Sequence, residues 1–196
     1  MLWAHLTEWG FYNLNEYIVI QSIDFGHIVT TDGKNLSSLS KEQPVLLVFL
    51  RPFGCIFCME AMKDLASQRA RIESEGTLIC CVHMSNPEVA ESYFEEYGLG
   101  GIQHISDPDC NNYATFGLLK GNFSQLYGLK VWLRSAELAI QDLRRVRMKQ
   151  IGDGFQMPGV FLLHNAEVGE AYRHQRTSDR PDYRRIIATG TGQKVL

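Results

Sequence analysis

The chain has 196 residues, of which 45% are hydrophobic and 21% charged, with a net charge of −3 and a pI near 6.1. That composition suits one globular domain with a sizeable core and excludes a disordered or collagen-like chain. Nothing in the charge balance argues for nucleic acid or an anionic membrane, and the longest apolar run, 45–50, is far shorter than a membrane span.

The opening MLWAHLTEWGFYNLNE carries acids early and lacks a basic region ahead of an apolar stretch, so it reads as an N-terminal extension (1–15) and not as a signal peptide. Five cysteines, an odd number, argue against a full disulfide framework. They point to a reducing, cytoplasmic compartment, where a close pair is catalytic or metal-binding. Two short strands are expected at 16–23 and 26–31, turning near Asp24. The polar segment TDGKNLSSLSKEQ leads from them to the run VLLVFL at 45–50, which is apolar at every position and belongs in the middle of a covered sheet.

After this strand, Met59, Met62, Leu65, Ala66 and Ile72 recur at helical spacing, and Gly76 closes the helix. A second central strand is expected at 77–84 (TLICCVHM). Ser85-Asn86-Pro87-Glu88 then starts a helix that ends at Gly98. A short strand at 102–106 precedes Asp107-Pro108-Asp109, which opens a short helix closed by Gly117. The insertion 118–150 is expected to be irregular from 118 to 130. It then forms an amphipathic helix whose core face carries Trp132, Ala136, Ala139, Ile140, Leu143 and Val146. Arg144, Arg145, Arg147 and Lys149 read as its solvated face. A hairpin at 159–164 and 168–174, turning at Asn165-Ala166-Glu167, precedes a helix at 179–188 and a tail at 189–196. Strands alternating with helices and ending in a hairpin imply a single α/β domain, 1–196, with a mixed central sheet flanked by helices.

The chemistry concentrates in RPFGCIFCME, residues 51–60. Catalytic groups in such folds gather where a central strand ends and a helix begins. Cys55 and Cys58 lie there, and a helix N-terminus favours thiolate over thiol. A spacing of three puts the second thiol on the same helical face, within reach of a mixed disulfide. Gly54 permits the tight turn. Zinc would require four ligands in a closed site. Cys80, Cys81 and His83 are the only other cluster, and adjacent strand residues point to opposite faces. Two inert buried thiols are the remaining alternative, disfavoured by the Pro-Phe-Gly loop before the pair. The residues thus point to a redox dithiol without metal or organic cofactor.

The run PVLLVFLRPFGCIFCMEAMKDL resembles the AhpC/TSA-like, peroxiredoxin-like branch of the thioredoxin-fold superfamily that includes selenoprotein-L-type proteins. SDPDCNNYATFGL and MPGVFLLHNAEVGEAYRH extend the resemblance over most of the chain. It implies a thioredoxin-like fold with an N-terminal strand pair and a peroxiredoxin-like insertion, and an antioxidant or redox role. It also suggests that Pro158 is a cis-proline facing the thiols. The pattern Pro-x-x-x-Thr/Ser-x-x-Cys of true peroxiredoxins is not kept. Counting back from Cys58, Arg51 stands at the proline position and Cys55 at the hydroxyl position, which favours dithiol–disulfide exchange over peroxide reduction.

Two assignments follow. Either Cys55 attacks and Cys58 resolves, or Cys58 is oxidised by peroxide and Cys55 condenses with it; the helix dipole favours the first. Arg51 is a candidate for stabilising a thiolate or peroxide oxygen, although an arginine at a strand end is more often a surface ion-pair partner. Cys110 is a candidate distant resolving thiol, more simply a bystander. His83 reads as a hydrogen-bonded core histidine and His174 as a surface residue. The implied partners are protein or small-molecule disulfides, peroxides in the second assignment, and an external thiol reductant. A redox-regulated interaction module, docking through Ile56-Phe57 and 118–130, is the rival from another class.

Overall fold

The computed structural model describes residues 23–141 and 150–192. The expected extension at 1–15, all of the 16–23 strand but Ile23, the basic group at 144–149 and the tail beyond 192 lie outside the described residues. The 26–31 segment is not a strand: it turns at Gly26 and forms an isolated antiparallel bridge from Val29 to Asn35. Ile28 in this segment and Phe25 just before it are buried, whereas Val29 is exposed.

The polar stretch that follows holds helix α1, Leu36–Glu42. The Asn35 side chain accepts from the Ser38 N–H at 3.0 Å, and Leu36 and Leu39, one turn apart, are buried. Strand β1, Val45–Phe49, is buried at all five positions. Each such side chain removed from water contributes about 1.5–3 kcal/mol, which is why this run selects the sheet centre. Helix α2 spans Ile56–Ser74, and Gly76 follows it with φ of +83°. Then come β2, Leu78–His83, and α3, Pro87–Glu96, whose Asn86 cap accepts from the Val89 N–H at 3.1 Å. Strand β3 is Gln103–Ser106 and α4 is Asn111–Thr115. The Asp107 carboxylate caps α4 by accepting from the N–H groups of Asn111, Asn112 and Tyr113.

The insertion is more ordered than its composition suggests. Helix α5, Phe123–Tyr127, starts with a reciprocal capping box between Asn122 and Gln125. Helix α6, Leu129–Gln141, follows directly, but it is rotated from the expected face. Val131 is buried, whereas Trp132 is 64% exposed. The chain closes with β4, Gly159–His164, β5, Glu167–Arg173, and α7, Tyr183–Gly190. Asn165 and Ala166 both take positive φ between the two strands, the conformation a tight hairpin with right-handed twist requires.

The sheet order is β3-β2-β1-β4-β5. β1 pairs parallel with β2 and antiparallel with β4, and β4 pairs antiparallel with β5. Cores lie on both faces. One joins α2, α3 and α7 to Leu46, Val48 and Cys81, the other joins α1 and α4 to Leu47, Phe49 and Cys80. Cys80 and Cys81 therefore point to opposite faces, both wholly buried. Among the described residues no helix is long and apolar enough to cross a membrane.

Candidate active site

β1 delivers the chain to the site. Beyond it, the Leu50 N–H still donates to Val82 O at 2.9 Å, and the Cys55 N–H closes a turn onto Pro52 O at 3.1 Å. Gly54 in that turn has φ of +87°, a conformation that costs a side-chain-bearing residue steric strain. Phe53 fixes the loop from outside the helix, stacked on Tyr93 at a centroid distance of 4.5 Å. Its carbonyl accepts from the Ile151 N–H at 2.9 Å.

Cys55 is the N-cap of α2, and its carbonyl accepts from the Cys58 and Met59 N–H groups at 3.0 and 3.1 Å. Cys58 therefore sits in the first turn, on the same face. Both thiols are free and buried, at 5% and 1% exposure. Exposure therefore hardly distinguishes the two sulfurs; the Arg51 hydrogen bond, made to Cys55, does.

Arg51 is 7% exposed and makes no surface ion pair. Its Nε–H donates to Cys55 Sγ at 3.4 Å, Nη1 to Gln156 O at 3.1 Å and Nη2 to Gly154 O at 2.8 Å. Two backbone carbonyls hold the guanidinium plane still, so its charge stays on the sulfur. Cys58 has the opposite environment. Burial pushes its thiol well above the ordinary value and Cys55 adds to the rise, with Arg51 opposing.

A cavity of about 30 Å³ is lined by Cys58, but not Cys55, together with Arg51, Pro158, His174, Thr177 and Asp179. The space has room for a water-sized molecule. Over α2, Glu60 pairs with Arg134 and Arg180, and Arg180 reaches Asp64 at 3.2 Å. These ties hold α6 and the segment after β5 against the helix that carries the thiols.

The remaining candidates are distributed unevenly. Pro158 lines the cavity, but no described peptide bond is cis, so the cis-proline of the resemblance is absent. The segment before it is drawn out along the insertion, with Met157 N–H on Leu119 O and the Gln156 side chain on Leu118 O, and it runs straight into β4. Cys110 is the αL cap of α4 and packs in the core on the opposite face of the sheet; the fold does not bring it to the pair. His83 is buried and shares a 2.9 Å hydrogen bond with His104. Burial and His104 pull His83 down to about 3. His174, expected at the surface, instead lines the cavity. No cluster of three or more His, Cys, Asp or Glu side chains among the described residues is arranged to hold a metal ion.

Sequence reasoning missed His174 and the carbonyls of Gly154 and Gln156. The carbonyls have no sequence signature. The histidine had one signal, its place opposite Pro158 at the end of the final hairpin.

No family model matches the chain. A thioredoxin-like protein AAED1, chloroplastic, from Arabidopsis thaliana is 21% identical over 175 residues, which cover 85% of this chain and 70% of that one. Among solved structures, peroxiredoxin Q from Xanthomonas campestris superposes with a TM-score of 0.51 at 16% identity, covering 85% of this chain and 91% of that one. A peroxiredoxin-like protein from Aquifex aeolicus gives a TM-score of 0.55 at 15% identity over 84% and 81% of the two chains. Thiol peroxidase from Chromobacterium violaceum gives 0.53 at 18% over 82% and 78%. The chain has the thioredoxin-like fold in the form peroxiredoxins use.

Proposed function

We propose that the protein is a thiol–disulfide oxidoreductase whose working couple is Cys55 and Cys58, acting in a reducing compartment such as the cytoplasm. Cys55 thiolate attacks a substrate disulfide, forms a mixed disulfide and expels one thiolate. Cys58 then displaces the second thiolate, which leaves a Cys55–Cys58 disulfide and a substrate reduced by two electrons. An external thiol restores the dithiol. The observation that carries this reading is the Arg51 hydrogen bond to Cys55 beside a Cys58 thiol that burial keeps protonated. Only one sulfur is equipped to attack first, and the other is placed one turn away to resolve.

One observation favours a second reading. The small cavity is lined by Cys58 and not by Cys55, which suits a hydroperoxide oxidising Cys58 to sulfenic acid, with Cys55 condensing on it. Stopped-flow oxidation separates the two. On the first reading, equimolar model disulfide is reduced rapidly, the protein loses two hydrogens in mass, and hydrogen peroxide reacts slowly. Fast, saturating oxidation by peroxide with slow disulfide exchange would overturn it in favour of the second.

A further inference from the structure

His174 follows β5, and its backbone N–H donates to Pro158 O at 3.4 Å, which carries both residues into the cavity that Cys58 lines. The imidazole packs edge-on against Tyr172 at a centroid distance of 5.2 Å. Its Nδ1 is buried and has no hydrogen-bond partner. No described side chain or backbone group satisfies this nitrogen, and the cavity that His174 lines has room for a water-sized molecule.

The chemistry of Cys58 calls for a proton acceptor. The resolving attack needs the Cys58 thiolate, yet Cys58 is buried in an environment that holds its proton. Among the described residues, its own cavity contains one neutral nitrogen without a partner. We propose that His174 is the general base that takes the Cys58 proton as Cys58 attacks the mixed disulfide on Cys55, directly or through one water in the cavity they share. This rests on the dithiol reading above. The step balances. The Cys58 S–H proton passes to His174, the Cys58–Cys55 S–S bond forms, the Cys55–substrate S–S bond breaks, and the departing thiolate takes the proton from the imidazolium.

The surroundings suit a base that begins neutral. Burial brings His174 down to about 4; Asp179 opposes the fall, Arg51 adds to it, and a hydrogen bond with the Arg176 backbone opposes it again. The charged or titratable groups lining the cavity are Arg51 after β1, Cys58, Glu60 and Asp64 on α2, and Asp179 and Arg180 after β5. The α2 acids are already paired with arginines, and the Tyr183 phenol from α7 keeps its proton because burial raises it. Asp179 is left to balance a transient imidazolium.

The test uses 5,5′-dithiobis(2-nitrobenzoic acid), which releases one coloured thiolate on attack and a second on resolution. With the unmodified chain, the second phase is expected to stay flat across neutral pH and to fall only as pH drops through about 4. A second phase rising about tenfold per pH unit through neutrality, as unassisted thiolate formation requires, would overturn the proposal. His174→Gln is expected to leave the first phase unchanged and slow the second about 10²-fold, with the mixed disulfide accumulating by intact mass. Added imidazole is expected to restore the second phase in His174→Ala, a rescue that a merely structural role would not show. Resolution in both variants as fast as in the unmodified chain would overturn the proposal while leaving the dithiol reading intact. Absence of a second phase in the unmodified chain would instead remove the dithiol reading itself.

Discussion

Replacing Arg51 with Met would take a donor from Cys55 and leave Gly154 O and Gln156 O without the hydrogen bonds they accept from it. Each buried carbonyl left unpaired costs about 1–3 kcal/mol, so the Arg51→Met chain should lose at least about 2 kcal/mol in urea unfolding. Iodoacetamide should also alkylate Cys55 more slowly. Arg51→Lys keeps the charge but lacks the planar fork, and it should recover only part of either loss. Equal stability and equal alkylation in all three chains would show that the guanidinium is a bystander. At this scale the sequence offered the two cysteines and Arg51 as candidates, because their order after an apolar strand is visible in one dimension. It did not offer Arg51's partners, which lie 105 and 103 residues further on and are backbone atoms.

Elements were legible where apolar periodicity is strong and caps are conventional. β1, β2, α2 and α3 fall close to where their patterns place them. Helix α1 was hidden by its serines, which read as loop, although Asn35 caps it and two leucines one turn apart anchor it. Helix α6 was found but turned the wrong way, because its apolar residues occupy more than one face and sequence alone does not say which meets the core. The structure assigns that role to Val131. Trp132→Gln should therefore change the stability measured in urea by less than about 0.5 kcal/mol, and Val131→Ala should cost about 1–3 kcal/mol. The opposite order would return Trp132 to the core.

The β2–β3 ladder carries a pH dependence of its own. His83 is 1% exposed and depressed to about 3, against about 6.5 in an unfolded chain. Between those values the unfolded state binds a proton that the folded state does not, so stability is complete above about 6.5 and drains away as pH falls towards 3. Urea unfolding at pH 4.5 should show His83 contributing a loss of about 2 kcal/mol relative to pH 7. His83→Leu should be less stable at pH 7, because His104 loses its partner, yet should show a shallower decline on acidification. An unchanged slope would mean that His83 is not the group being titrated.

For the whole molecule, a mixed sheet covered on both faces was readable from its doubly apolar strands and terminal hairpin, and the comparisons bear out the thioredoxin-like architecture. The assembly of the site was not readable. β1 and α2 bring the sulfurs, the 154–156 segment orients Arg51, and the residues after β5 enclose the cavity with His174 and Asp179. The sequence separations are long, and only the sheet order β1-β4-β5 brings these regions together. On the proposed reading, the substrate meets a site built from these three regions, and Cys55 attacks first. The most direct test is mass-spectrometric mapping of the adduct that each single-cysteine variant forms with a model disulfide at neutral pH. Rapid, stable capture is expected on Cys55 in Cys58→Ser, and little on Cys58 in Cys55→Ser. Rapid capture on Cys58 alone would contradict it.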